Sequence, residues 1–185
     1  MKKKKYYISW SKLYYIIGAV FLVIIIWSSI RPSNDRNWAE DQKVLPYAEF
    51  DGDLVKIHNI RNFSYRGVDD YDKDYYDKTF DIEKIKEVYY IVEPFSEWDG
   101  AAHTFLSFEF EDEEFIAVSI EIRKEKQETF SGLKGIFKQY EIMYVLGDER
   151  DLIGLRANHR KDDVFLYHVN RTKKSYLLSL IKSIK

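Results

Sequence analysis

The run from Leu13 to Ile30, LYYIIGAVFLVIIIWSSI, holds no charged residue and comes after Lys2, Lys3, Lys4, Lys5 and Lys12. A bilayer core takes about 20 apolar residues of helix, with about 17 as the lower bound, so this run is long enough to span. It is apolar on all sides, unlike the striped surface helix of a soluble domain. By the positive-inside rule the lysines set an N-in orientation, opposed only by Arg31 and Arg36 beyond the run. Tyr6, Tyr7 and Trp10 before it and Trp27 near its end suit the two interfaces. A cleaved signal peptide is the rival reading. Its core is typically about 7–15 residues and ends in a small-x-small site, which Trp27-Ser-Ser-Ile-Arg-Pro fits poorly. The expected organisation is a basic cytoplasmic segment over 1–12, a transmembrane signal anchor over 13–30 and a polar tether over 31–42 that docks through Trp38. An exported domain over 43–185, periplasmic or otherwise extracytoplasmic, completes it.

The chain beyond Ile30 suffices for one domain with a sizeable core and leaves little room for two. The net charge of −2 includes the five N-terminal lysines, so the exported part is distinctly acidic, which argues against a nucleic-acid partner. Tyr (15) and Phe (12) far outnumber Gly (8) and Pro (3), as in a folded, strand-rich domain. With no cysteine, the chain has no disulfide, no thiol nucleophile and no thiolate metal ligand. His58, His159 and His168 share no metal-ligand spacing with acids, so neither metal nor cofactor is expected. Asp70, Asp72, Asp74 and Asp81 match positions 1, 3, 5 and 12 of a calcium loop. Tyr75, however, stands where the turn demands Gly, and Asp81 is shorter than the usual bidentate Glu, so a solvated acidic loop is expected over 69–81.

Periodicity predicts an α+β fold: one transmembrane helix, then a mainly antiparallel sheet with a few helices. Strands are expected over 54–65, 88–92, 140–146, 151–155 and 164–169, with a short helix at 82–87 and a turn at Asn158 to Asp163. Thr172 is a candidate cap for a terminal helix striped by Leu177, Leu180, Ile181 and Ile184. The central pattern is more constraining. Thr104, Leu106, Phe108 and Phe110 alternate with His103, Phe105, Ser107 and Glu109; after an acidic turn, Ile116, Val118, Ile120 and Ile122 alternate with Ala117, Ser119, Glu121 and Arg123. A one-residue slip would turn one apolar set outward, so the hairpin admits few registers. One sets His103 opposite Glu121 and another sets it opposite Arg123, in either case on the polar face beside Phe105.

The ordered landmarks Asn59-x-Arg61-Asn-Phe, Ala102-His103-Thr-Phe-Leu-Ser-Phe, Ser119-x-Glu121-x-Arg123 and Gly147-Asp-Glu-Arg150-Asp-x-x-x-Leu-Arg156 resemble a bacterial exported family, the Lnb N-terminal periplasmic domain. The resemblance spans roughly Trp38 to Leu180 and rests on the set in order. It implies a cell-envelope protein tied to lipoprotein or lipid acyl chemistry, in a fold similar to the papain-like thiol enzymes in permuted order. In that family the His of the His-Thr-Phe segment precedes a Cys in an Asn-Cys-Thr segment, beyond the region matching our terminal helix. This sequence stops short of such a segment, so the fold is expected to lack its C-terminal part.

His103 therefore carries over as the candidate base, with Glu121 as its orienting carboxylate by register; no nucleophile carries over. Ser107 and Ser119 lie in no Gly-x-Ser-x-Gly turn. Arg123, Arg150 and Arg156 are candidates to hold a phosphate or carboxylate through their guanidinium forks. Pairing with Asp148, Glu149 and Asp151 is the plainer account of them. Two functions are expected: a binding or degenerate module in envelope biogenesis, or an acyltransferase or amidase-like enzyme whose nucleophile comes from elsewhere. The membrane is a partner under both, with a lipid or an envelope protein as the second.

Overall fold

The computed structural model describes residues 9–95, 100–129, 131, 134–135, 137, 139–169 and 173–182. Lys2 to Lys5, Tyr6, Tyr7, Thr172 and Ile184 lie outside the described residues. The apolar run forms α1, Trp10–Ser29, entered at Ser9, whose hydroxyl accepts from the Lys12 amide. None of α1 is buried by the rest of the chain, and it is long and apolar enough to cross a membrane.

The strands are β1 (Tyr47–Asp51), β2 (Leu54–Arg61), β3 (Ser64–Tyr65), β4 (Tyr71–Asp72), β5 (Tyr75–Asp81), β6 (Ile85–Pro94), β7 (Ala102–Phe110), β8 (Phe115–Arg123), β9 (Glu141–Gly147) and β10 (Phe165–His168). An eight-stranded sheet runs β1-β2-β9-β8-β7-β6-β10, with β5 also on β2, while β3 and β4 pair apart. Its ladders are antiparallel save one parallel contact, Arg61 of β2 with Gly147 of β9. The α+β reading with a mainly antiparallel sheet holds.

Four local readings are corrected. The short helix expected at 82–87 is a single 3-10 turn, Ile82–Lys84, capped by Asp81, and residues 85–87 belong to β6. Residues 69–81 are not a solvated loop: they carry β4 and β5, and Arg66 bonds both Asp70 and Asp72. Tyr71, Tyr75, Tyr76, Thr79 and Phe80 favour strand strongly enough to override the interspersed carboxylates. Residues 151–155 are not a strand either. Asp148 accepts from the Arg150 amide and starts α2, Glu149–Gly154, with Glu149 and Asp151 in the first turn where acids suit the helix dipole. The helix continues as a wider π-type coil over Leu155–Arg160, where a turn was expected, and stops at Lys161 in the left-handed conformation (φ 63°).

The sheet is covered on both faces. One core gathers Val55, Ile57, Ile60, Phe80, Val88, Phe108, Ile116, Val118 and Leu146 under Ile181 and Leu180 of the terminal helix α3, Lys173–Lys182. The other gathers Ile91, Phe105, Ala117, Met143 and Val145 under Leu152 of α2. The expected polar face of the β7–β8 hairpin is thus interior, because Ser107, Ala117 and Ser119 are small enough to let α2 lie close.

Gly147 marks where α2 and β2 meet. A Cβ there would lie 3.0 Å from Leu152 Cγ and 3.1 Å from the Arg61 carbonyl oxygen, while the next amide, Asp148, donates to that same carbonyl at 2.9 Å. Gly147→Ala is expected to overpack the junction and destabilise the chain by about 1–3 kcal/mol. The unfolding midpoint of the detergent-solubilised protein checks this; an unchanged midpoint would contradict it.

The stretch after α1 docks on the sheet almost at once. Ser33 already bonds Glu141 at 2.9 Å, Arg36 pairs with Glu141 and Glu125, and Trp38 bridges to Glu125 beyond the end of β8. Only Ile30, Arg31 and Pro32 separate α1 from this docked stretch.

Candidate functional site

β7 and β8 pair with Leu106 opposite Val118 and Ser107 opposite Ala117, the register that aligns His103 with Glu121. On the other side, β6 sets Glu93 opposite His103. Three polar side chains therefore converge at one end of the hairpin on the α2 face. Ser119 donates its hydroxyl hydrogen to Glu121 Oε1 at 2.7 Å. Its oxygen lies 2.9 Å from His103 Nε2, and Glu121 Oε1 lies 3.3 Å from that same nitrogen. With the hydroxyl hydrogen committed to the carboxylate, the imidazole must donate from Nε2. In the neutral ring the lone pair then falls on Nδ1.

The carboxylate is held in turn. Arg156, from the coil after α2, donates to Glu121 Oε1 at 2.8 Å, to Glu93 Oε2 at 2.6 Å and to the Leu152 carbonyl at 2.7 Å. Its guanidinium lies 4.9 Å over the Phe105 ring, which packs against His103 at 5.7 Å. Burial would raise the Glu121 carboxyl, but the hydrogen bond from His103 and the charge of Arg156 outweigh it and hold the group at about 2. Burial does prevail at Glu93, which is raised despite Arg156. Arg160 reaches the second Glu93 oxygen at 3.6 Å. The result is a directed chain of Arg156, Glu121, Ser119 and His103, capable of fixing the ring's tautomer and stabilising an imidazolium.

The other candidate residues fall elsewhere. Arg123 is buried and bonds the Gln42 and Lys43 carbonyls and Asn34, with its guanidinium 4.1 Å over Trp38, so it clamps the tether. Arg150 is exposed and pairs with Asp148. Ser107 is buried and donates to Glu149, whose carboxyl burial pushes up. His58 stacks on Tyr47 and bonds Asp77; His159 leans on Tyr65; His168 pairs with Glu87. No group of ligating side chains among the described residues is arranged to hold a metal.

Two members went unseen in the sequence. Glu93 read only as the end of a strand, although an acid before Pro94 in an otherwise apolar strand was the available signal. The second is the buried pair of Arg61 with Asp151, at 2.9 and 2.7 Å, which fastens β2 to α2 beneath the site.

The family model of the Lnb N-terminal periplasmic domain matches residues 71–181, from β4 to the end of α3. The chain belongs to this family. No curated protein and no solved structure matches it.

Proposed function

We propose that this member of the Lnb N-terminal periplasmic domain family presents the base of an acyl-transfer site on the outer side of the cytoplasmic membrane. The observation that carries it is the capped Nε2 of His103, which in the neutral ring puts the lone pair on Nδ1. A thiol or hydroxyl supplied by a further segment or a partner attacks an acyl carbonyl and gives its proton to Nδ1. When the tetrahedral adduct collapses, the proton passes from Nδ1 to the departing alcohol or amine. Glu121 and Arg156 are positioning residues that balance the transient imidazolium. Ser119 is no substitute nucleophile: it is fully buried, and its proton is already given to Glu121. The acyl donor or acceptor is a lipid or lipoprotein, in keeping with a domain carried beside an apolar N-terminal helix. Arg150, 79% exposed, is the one of the three candidate arginines open to an anionic headgroup.

The burial of Ser119 and its bond to Glu121 favour a second reading, in which the same face binds lipid or lipoprotein without turnover. One experiment separates the two. The chain is expressed with the coding sequence immediately downstream, and its membranes are given a phospholipid with a labelled acyl chain. Covalent label on protein is expected, and His103→Ala is expected to lower its rate about 10²–10⁴-fold. Label that stays extractable, with no covalent adduct, would establish the binding module and end the enzymatic reading. Transfer indifferent to His103→Ala would remove His103 from either.

A further inference from the structure

The face of β8 and β9 opposite the histidine site changes character along its length. At one end Ile116, Val118 and Leu146 are fully covered. At the other, the same face continues with Ile122 paired to Ile142 and Ile120 paired to Tyr144. There the cover ends: Ile142 is 73% exposed and Ile120 48%. Contiguous apolar surface of this kind marks a contact with something apolar.

Its place in the fold says what. The next pair on the ladder is Arg123 with Glu141, and these residues hold the tether through Asn34 and Ser33. From Ser29, where α1 ends, to Ser33 the chain can extend at most about 14 Å. This rim of the sheet is thereby kept within reach of the membrane surface, with exposed Arg31 on the connecting stretch. A tether longer by a dozen residues would impose no such limit.

We infer that the Ile120, Ile122, Ile142 and Tyr144 patch is seated in the lipid interface, so that the domain rests on the bilayer by this rim. The inference rests on reading α1 as a membrane anchor. Side chains docked this way enter the boundary of headgroups and acyl chains to a depth of about 5–10 Å. The docked rim fixes the tilt of the sheet, and with it the height at which the His103 face meets lipid-borne acyl groups.

The lack of native cysteine makes a direct test simple. Single variants Ile142→Cys and Ile120→Cys carry an environment-sensitive fluorophore in the full chain, reconstituted into phosphatidylcholine–phosphatidylglycerol vesicles with or without nitroxide-bearing lipid. Glu111→Cys, at the far end of the same hairpin, and Val20→Cys, in the middle of α1, are the controls. Blue-shifted emission at 142 and 120, quenched by the nitroxide lipid while position 111 is not, is the expected result. Emission at 142 as water-like as at 111, with position 20 quenched, would overturn the docking and leave the anchor intact. Loss of quenching at position 20 as well would overturn the anchor itself. A blue shift at 142 without nitroxide quenching would mean that a protein surface, such as a second copy, covers the patch, and would also overturn the inference.

Discussion

Asp151→Ala is expected to cost the domain about 3–5 kcal/mol, a larger loss than from any other substitution proposed for this chain, because it strands a buried guanidinium. Asp151 has no exposed surface and accepts four bonds: Arg61 Nε at 2.9 Å, Arg61 Nη2 at 2.7 Å, the Phe63 amide at 2.8 Å and the Tyr65 hydroxyl at 3.1 Å. These tie the end of β2 and the ribbon strand β3 to the first turn of α2. The double change Arg61→Met with Asp151→Leu removes the stranded charge and is expected to recover part of the loss. Recovery stays incomplete, since the buried Phe63 N–H then lacks an acceptor, at about 1–3 kcal/mol, and the half-buried Tyr65 O–H loses its partner. Denaturant unfolding of the single and double variants checks the order. A double variant no better than Asp151→Ala would show that the hydrogen bonds, not the charge, carry the effect.

The strand pattern was legible where both neighbours of a strand were regular. The β7–β8 hairpin, its narrow choice of registers and the placing of His103 on one face with Glu121 come from alternation alone, since a slip would expose an apolar set. Alternation could not show that the second face is also covered. Ser107, Ala117 and Ser119 look like surface residues in sequence and are small interior residues in the fold, because α2 presses on them. That helix was itself hidden: Asp151 to Leu155 alternates weakly enough to pass for strand, and only the capping sense of Asp148 distinguishes it. The acidic stretch misled in the opposite direction, its carboxylates masking strong β-formers.

The site was legible only in its nearest parts. His103, Glu121 and Arg156 stand out in the sequence, where Arg156 reads as a fork for a ligand or, more plainly, as a partner of Asp148, Glu149 or Asp151; the structure pairs it with acids, but with Glu93 and Glu121. The partners lie 63 and 35 residues away in sequence, and no local spacing rule connects them. Arg123 shows the same limit. Its register position was constrained, but its occupation by the Gln42 and Lys43 carbonyls depended on how the chain returns from α1.

Acid is expected to unlock the network by way of Glu121. Its folded-state pKa of about 2 lies below the ordinary value of 4.5, so its contribution is complete above about pH 4.5 and is lost as pH falls toward 2. The full contribution is on the order of 3 kcal/mol. Glu93 acts with the opposite sign. Burial raises its pKa, so its ionisation weakens the fold and protonation on acidification returns part of that loss. Glu121→Gln keeps a hydrogen-bond acceptor for Ser119 while removing the charge that faces Arg156 and His103. The variant should be less stable than wild type at neutral pH, and its stability should fall less steeply than that of wild type between pH 4.5 and 2, because Glu40, Asp77, Glu109 and the other lowered carboxylates still titrate in both chains. The difference between the two unfolding curves measures the linkage directly, free of the other carboxylates common to both chains. Parallel curves across this interval would show that Glu121 is not held in its charged form by Arg156 and the imidazole.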